Sequence, residues 1–433
     1  MKNINTKKIL NIITACILII VPFLKVFSMN LEMFGIIYNY DNINPAIILY
    51  ISVPILLFIY IKDIITTRRK LDIYDYIFYT LVITGIISVV FSIDKNLAIF
   101  GKEFRHEGFL SILSYYLLFI NYKTIGTKDD IKKILKLVII IGVINSIYAL
   151  FQIYTNFNFI LRFHEDARMA SGLCGNPNFF GSLIVTCLGI VISKVLMKKK
   201  ISTKDILITV LLFVSLINCQ STGPFLTLLL VLIFLFVFLY LKKELVLKSL
   251  LIVITILITT HVSVYFINKY VIKIERCELC IKDIKETINN GGNGRLKIWE
   301  NSLDIVKDNF IVGVGYDNFY LAYPNPKIEG GISFSLTSIL MENKIETPTY
   351  YIIDNAHNVY LHTLVSAGII GLLPYLALLL LTFIKAIKSK NKLVFILLGG
   401  FVAYSIQAFA NISVVQVAPI YYVIIGLILS IKE

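Results

Sequence analysis

The chain has 433 residues, 57% hydrophobic and only 16% charged, with a net charge of +14 and a mean hydropathy of +0.81. That much apolar side chain exceeds what a water-soluble core buries and fits a bundle of membrane-crossing helices. The positive charge is no nucleic-acid footprint, because it lies in short clusters between apolar stretches and forms no groove interleaved with aromatics.

Apolar runs of roughly 17–25 residues match a hydrocarbon core ~30 Å thick. In chain order they predict about twelve transmembrane helices, at 9–27, 45–62, 75–93, 108–122, 134–155, 178–197, 206–219, 224–241, 249–267, 358–384, 393–410 and 416–431. The first follows Lys2, Lys7 and Lys8 like a signal sequence. No small-x-small cleavage site precedes the next polar stretch, so it is expected to remain as the first helix. The run 206–219 is short for a crossing. Lys and Arg collect in alternate loops, as at Lys62, Arg68, Arg69 and Lys70, at Lys123 to Lys136, and at Lys198, Lys199 and Lys200. That bias places both termini in the cytoplasm and the segments 28–44, 94–107, 156–177, 219–223 and 411–415 outside. The same clusters attract anionic lipid head groups.

The predicted fold class is all-α, a polytopic helical membrane protein with one large extracytoplasmic loop containing short amphipathic helices. N-terminal transmembrane helices fill 1–267, the loop spans 268–356, and C-terminal transmembrane helices fill 357–433. Within the loop, Asn289-Asn290-Gly291-Gly292-Asn293-Gly294 reads as a turn cluster. Arg295 then opens a helix on which Trp299, Leu303, Val306 and Phe310 recur at helical spacing, until Gly313-Val314-Gly315 breaks it. Cys277 and Cys280 form Cys-x-x-Cys on the outer side, where a disulfide is permitted. With no second Cys pair or His beside them, two thiols or one small disulfide ring is expected rather than zinc or redox chemistry. The outer tyrosines read as an interfacial belt in preference to a sugar-stacking surface.

Four polar clusters break the apolar pattern. His357 closes the large loop at Asp354-Asn355-Ala356-His357-Asn358. An ionisable group at membrane depth requires a reason, and a helix-capping cluster is the plain alternative, with Asp354 and Asn355 as the caps. If the helix is continuous, Gly368 and Gly371 fall within about 20° and 40° of His357, leaving room for another helix to press close. Arg105, in Gly101–Gly108, departs from the cation-poor outer loops. It suits a bidentate grip on phosphate oxygens, against a structural pairing with Glu103 or Glu107 or a place on lipid head groups. Arg168 leads into Gly175-Asn176-Pro177-Asn178, where Asn176 and Asn178 read first as turn and cap and second as ligands, with Asn178 capping the next span. Arg295 begins a helix after a glycine-rich turn, a place where an anion is welcome. No P-loop spacing, zinc-protease motif or acidic cage for a divalent ion appears.

Taken together, Gly101–Gly108, Ser171–Asn178, Gly294-Arg295-Leu296-Lys297-Ile298-Trp299, Gly313–Phe319 and His357-Asn358 with Gly368 and Gly371 resemble the O-antigen ligase/polymerase family over roughly 100–375. The sharpest element is His-Asn-x9-Gly-x-x-Gly. The resemblance implies a glycosyltransferase of the cell membrane, acting in surface polysaccharide biosynthesis. Its donor would be a glycan on undecaprenyl diphosphate, and its acceptor a hydroxyl of a glycan, lipid or protein. It implies no cofactor and no metal, His357 assisting the acceptor hydroxyl, Arg105 and Arg295 holding the diphosphate, and Arg168 as a looser member of that set. Asn358, Asn176, Asn178, Gly368 and Gly371 are carried over as supporting residues. The chain departs from relatives that have Ser-Arg-Gly near the start of the middle span, because it has Ser221-Thr222-Gly223. A lipid-linked oligosaccharide flippase is the competing class; the nearly charge-free middles of the spans and the unequal halves count against it. A sensor is a third, disfavoured by the lack of a cytoplasmic output domain.

Overall fold

The computed structural model describes residues 2–31, 44–103, 105–155, 169–198, 200–244, 247–271, 292, 294–324 and 353–431. Cys277, Cys280 and Arg168 lie outside them. The described residues contain no strand. Their helices are α1 (Lys2–Leu31), α2 (Ile47–Thr67), α3 (Ile73–Val90), α4 (Lys95–Phe100), α5 (Phe109–Ile125), α6 (Lys128–Tyr154), α7 (Pro177–Leu196), α8 (Thr203–Asn218), α9 (Thr222–Leu241) and α10 (Leu247–Phe266). After these come α11 (Arg295–Asp308), α12 (Phe319–Ala322), α13 (Val359–Lys388), α14 (Lys392–Gln407) and α15 (Ala418–Ser430).

Each predicted apolar run lies on one of these helices, yet fewer than twelve meet the length and hydropathy of a crossing. Eight do so among the described residues, namely α2, α3, α6, α7, α9, α10, α13 and α14. The helices α5 and α15 are shorter apolar helices, and the runs 9–27 and 206–219 lie on α1 and α8. The chain is a multi-pass membrane protein. Its centre is α7, almost wholly buried and packed on α14, while α5 lies against α15 and α2.

The lysine-rich end of the bundle is tied by one repeated device. At the starts of α3, α6 and α8, the third helical residue is an aspartate whose carboxylate accepts the N-cap backbone N–H: Asp75 from Asp72, Asp130 from Thr127, Asp205 from Ser202. Negative charge is favourable at a helix N-terminus. Each aspartate also receives cations from neighbouring segments, Arg69 and Lys123 on Asp75, Lys7 on Asp130, and Lys194 and Lys198 on Asp205. Several of the cations that set the topology signal are therefore also structural partners.

The opposite end is shaped by a break in α13. Gly368 has φ +63° and ψ −172°, backbone that is essentially confined to glycine. The break frees polar groups that the segment 310–315 pairs. Val314 and Gly315 N–H donate to the Val365 and Ser366 carbonyls at 2.9 and 2.9 Å, and Ile369 N–H donates to the Phe310 carbonyl at 2.8 Å. A Cβ on Gly368 would stand 2.0 Å from the Ile311 carbonyl oxygen. This corrects the expectation of one glycine face beneath His357. The helical count does not run across the break, the element pressed close is the turn after α11, and a Cβ on Gly371 meets only the Ala367 side chain of its own helix. Gly368→Ala is expected to lose about 1–3 kcal/mol from backbone strain before the clash is counted. The measurable result is a lower thermal unfolding midpoint and a smaller folded fraction in detergent.

The helix α11 forms at its predicted place, but its packed face differs. Ile298, Ser302, Ile305 and Val306 are buried, and the apolar three pack with Val314, Phe319, Ala356 and Val365. Leu303 and Phe310 are 50% and 51% exposed. Phe310 lies beyond the helix end, and Ser302 enters the buried stripe by returning its hydroxyl to the Ile298 carbonyl at 2.6 Å, a local bond that hydropathy periodicity does not register.

Candidate functional site

The site is built on the turn before α13. Asn358 is the N-cap, its Oδ1 accepting from the Tyr360 and Leu361 N–H groups, both at 3.0 Å. The residues expected to cap do other work. Asn355 Oδ1 accepts from the His357 N–H at 3.0 Å, and His357 takes a left-handed backbone with φ +51°. Asp354 instead reaches across to Arg105.

That ion pair is bidentate. Arg105 Nε donates to Asp354 Oδ2 at 2.9 Å and Nη2 to Oδ1 at 3.1 Å, with the two side chains only 16% and 20% exposed. The guanidinium also lies 5.5 Å from the Phe179 ring centroid, so the first turn of α7 forms part of its seat. Burial works against a charged Asp354, but the charges and hydrogen bonds of Arg105 outweigh it and hold the carboxyl below its ordinary range.

The loop carrying Arg105 is held from beneath. Asp317 Oδ2 accepts from the Lys102 N–H at 2.9 Å and the Glu107 N–H at 3.2 Å, closing both sides of the loop over one carboxylate. Glu107 accepts from the Tyr115 hydroxyl at 2.9 Å. Burial is the main cause that pushes both acids up, Asp317 to about 6 and Glu107 to about 7. Next to Asp317, Asn318 accepts from Asp94 N–H at 2.7 Å and donates to the Asp94 carbonyl at 3.1 Å, joining the segment after α3 to the same corner.

Arg295 enters from the first residue of α11. Trp299, one turn further on, donates its indole N–H to the Ala356 carbonyl at 2.9 Å, which fixes α11 against the residue before His357. Burial pulls the Arg295 pKa down. Among the described residues no carboxylate forms an ion pair with it. The His357 imidazole is pulled down to about 4, first by burial, then by the charges of Arg295 and Arg105, with Asp354 acting in the opposite sense. Two guanidinium groups, one carboxylate and one neutral imidazole therefore share a neighbourhood. The imidazole thus lies well below the ordinary histidine value of about 6.5.

The remaining sequence candidates are placed as follows. Asn176, not Asn178, is the N-cap of α7, its Oδ1 accepting from the Asn178 N–H at 2.8 Å, because Pro177 occupies the first helical position. Asn178 accepts from the Ser221 hydroxyl at 2.6 Å, and its carbonyl accepts from Asn411 at 3.0 Å. It ties α7 and α9 together one residue from the Phe179 ring under Arg105. The Ser221 hydroxyl at the start of α9 thus reaches the residue next to Phe179.

Residues 207–376 match the family model described as O-Antigen ligase. Over that stretch the chain is similar to the O-antigen ligase family. No curated protein matches the chain. The matched stretch contains Arg295, His357, Asn358, Gly368 and Gly371, whereas Arg105, Arg168, Asn176 and Asn178 precede it. The place of Arg105 in the site therefore rests on its contact with Asp354 and its charge on His357. Sequence reading passed over Glu107, Asp317 and Phe179 as site residues. It also passed over His362, whose Nε2 lies 3.4 Å from Asn355 Nδ2. Only His362 had a local signal, being one helical turn beyond Asn358.

Proposed function

We propose that the protein is a membrane glycosyltransferase that moves a glycan from a polyprenyl diphosphate, undecaprenyl diphosphate in the resemblance, to a hydroxyl of a glycan, lipid or protein acceptor. The observation that carries this reading is Arg295, a desolvated guanidinium with no acid partner among the described residues, whose charge acts together with that of Arg105 on a neutral imidazole. Such a constellation suits a ligand that brings negative charge and an acceptor that must lose a proton.

The chemistry follows from these roles. The acceptor oxygen attacks the anomeric carbon, a new C–O bond forms, and the bond from that carbon to the diphosphate oxygen breaks. His357 takes the acceptor proton, and the diphosphate leaves with the electron pair. A diphosphate is a stable anion, so no general acid is required. Arg105 and Arg295 meet the developing charge in a water-poor site, where such contacts count for more than in water. With two guanidinium groups supplying countercharge, no metal is needed for that purpose. Attack opposite the diphosphate inverts the anomeric centre. The protein is placed in the cytoplasmic membrane, with both termini in the cytoplasm and the site on the far side, following the distribution of Lys and Arg.

The test is purified protein in detergent with polyprenyl-diphosphate glycan and candidate acceptors. Chain growth marks a polymerase and transfer to a different molecule marks a ligase. Neither product, together with movement of the lipid-linked glycan across a vesicle membrane, replaces the enzyme reading with a flippase.

A further inference from the structure

His357 occupies left-handed backbone, φ +51°, which is unfavourable for an L-residue, so something must hold it there. The Asn355 side chain does so, Oδ1 accepting the His357 N–H at 3.0 Å. The other end of the same amide is engaged as well, Nδ2 standing 3.4 Å from His362 Nε2. An amide nitrogen has only hydrogens to offer, so His362 Nε2 is the acceptor and its ring proton sits on Nδ1. The two contacts together fix which way the Asn355 amide points. His362 is itself held by the first turn of α13, its backbone N–H donating to the Asn358 carbonyl at 2.8 Å, and its ring lies tilted beside Phe319 at 5.6 Å.

Packing alone does not account for His362. Its Nδ1 is buried and has no partner among the described residues, a state that is costly for a polar atom. An apolar ring would pack against Phe319 without that cost. What only the imidazole provides is the acceptor that faces Asn355.

We propose that Asn355 and His362 are positioning residues: a relay from His362 through the Asn355 amide to the His357 backbone holds the His357 ring toward Arg105 and Arg295. This rests on the reading of His357 as the proton acceptor, and it adds two residues that touch no substrate. The relay has a direction. Asn355 acts on His357 directly, and His362 acts only by orienting Asn355. Removing both therefore costs no more than removing Asn355 alone, as expected for side chains working as one unit.

The experiment uses the full-length protein in detergent, with two readouts. The first is steady-state transfer from polyprenyl-diphosphate glycan. Asn355→Ala and His362→Phe are each expected to lower kcat about 10- to 100-fold, the size of effect a misplaced catalytic group produces, with the donor KM unchanged. The double variant is expected to match Asn355→Ala, and His362→Gln, which keeps an acceptor oxygen, to recover part of the loss. The second readout is hydrogen exchange of the peptide containing the His357 amide. Exchange is expected to quicken in Asn355→Ala and in His362→Phe but not in His362→Gln. Additive losses in the double variant, a change in KM alone, or unchanged exchange in Asn355→Ala overturns the relay. If His357→Ala keeps full transfer while both relay variants still quicken exchange, the base assignment falls and the relay stands. If His357→Ala is inactive and exchange does not respond, the reverse holds.

Discussion

Replacing His357 with alanine is expected to lower kcat for glycan transfer by about 10²–10⁴-fold, the usual contribution of a positioned general base. Donor binding is expected to persist. Both guanidinium groups remain, and deleting an imidazole that is neutral at neutral pH removes no countercharge from the diphosphate. The measurement pairs turnover of labelled polyprenyl-diphosphate glycan with an equilibrium binding assay for the same donor. His357→Asn is the companion variant, because asparagine tolerates the left-handed backbone at φ +51° better than alanine does. A folded Asn variant that binds donor and does not transfer localises the loss to proton removal. Full transfer by either variant removes His357 from the chemistry.

The layout of the bundle was legible because crossing segments announce themselves by hydropathy over whole helices. All twelve predicted runs lie on helices, with ends a few residues away from those expected. The break at Gly368 was not legible in the same way. Val359–Lys388 is apolar throughout and satisfies a continuous helix as well as an interrupted one. The break exists because residues 310–315 supply partners for the carbonyls of Val365 and Ser366, a contact made across the chain. The same limit applies to the site. Arg105, Arg295 and His357 were singled out as charges and rings in places that composition leaves apolar, and the fold brings them together. Asp354 was read as a local cap, since the nearest unpaired backbone groups lie next to it in sequence. Its partner lies 249 residues away, a separation on which no periodicity reports. Glu107 and Asp317 were missed for a related reason: a buried acid beneath a loop and an acid on a surface look alike until the fold covers one of them.

Arg295→Gln is expected to lower kcat/KM by about 10²–10³-fold, the scale for removing one donor that meets developing negative charge. It should also move the pH profile in a stated direction. Transfer requires the neutral imidazole, so activity is lost as pH falls through the His357 pKa. In the free protein that pKa is about 4, held down by burial first and by Arg295 next. Removing the Arg295 charge makes protonation easier, so the acidic limb of kcat/KM, which reports the free enzyme, moves up toward the ordinary histidine value of about 6.5. It stops short of that value, because burial and Arg105 remain. Arg295→Lys keeps the charge but loses the planar fork, so its rate falls while its acidic limb stays near that of the unsubstituted protein. A bound diphosphate opposes both guanidinium charges, and for this reason the limb of kcat in the unsubstituted protein is expected above that of kcat/KM. The imidazole thus gains basicity when the donor is in place to receive the acceptor oxygen. An acidic limb left unmoved by Arg295→Gln, with the rate reduced, would show that Arg295 binds substrate without acting on His357.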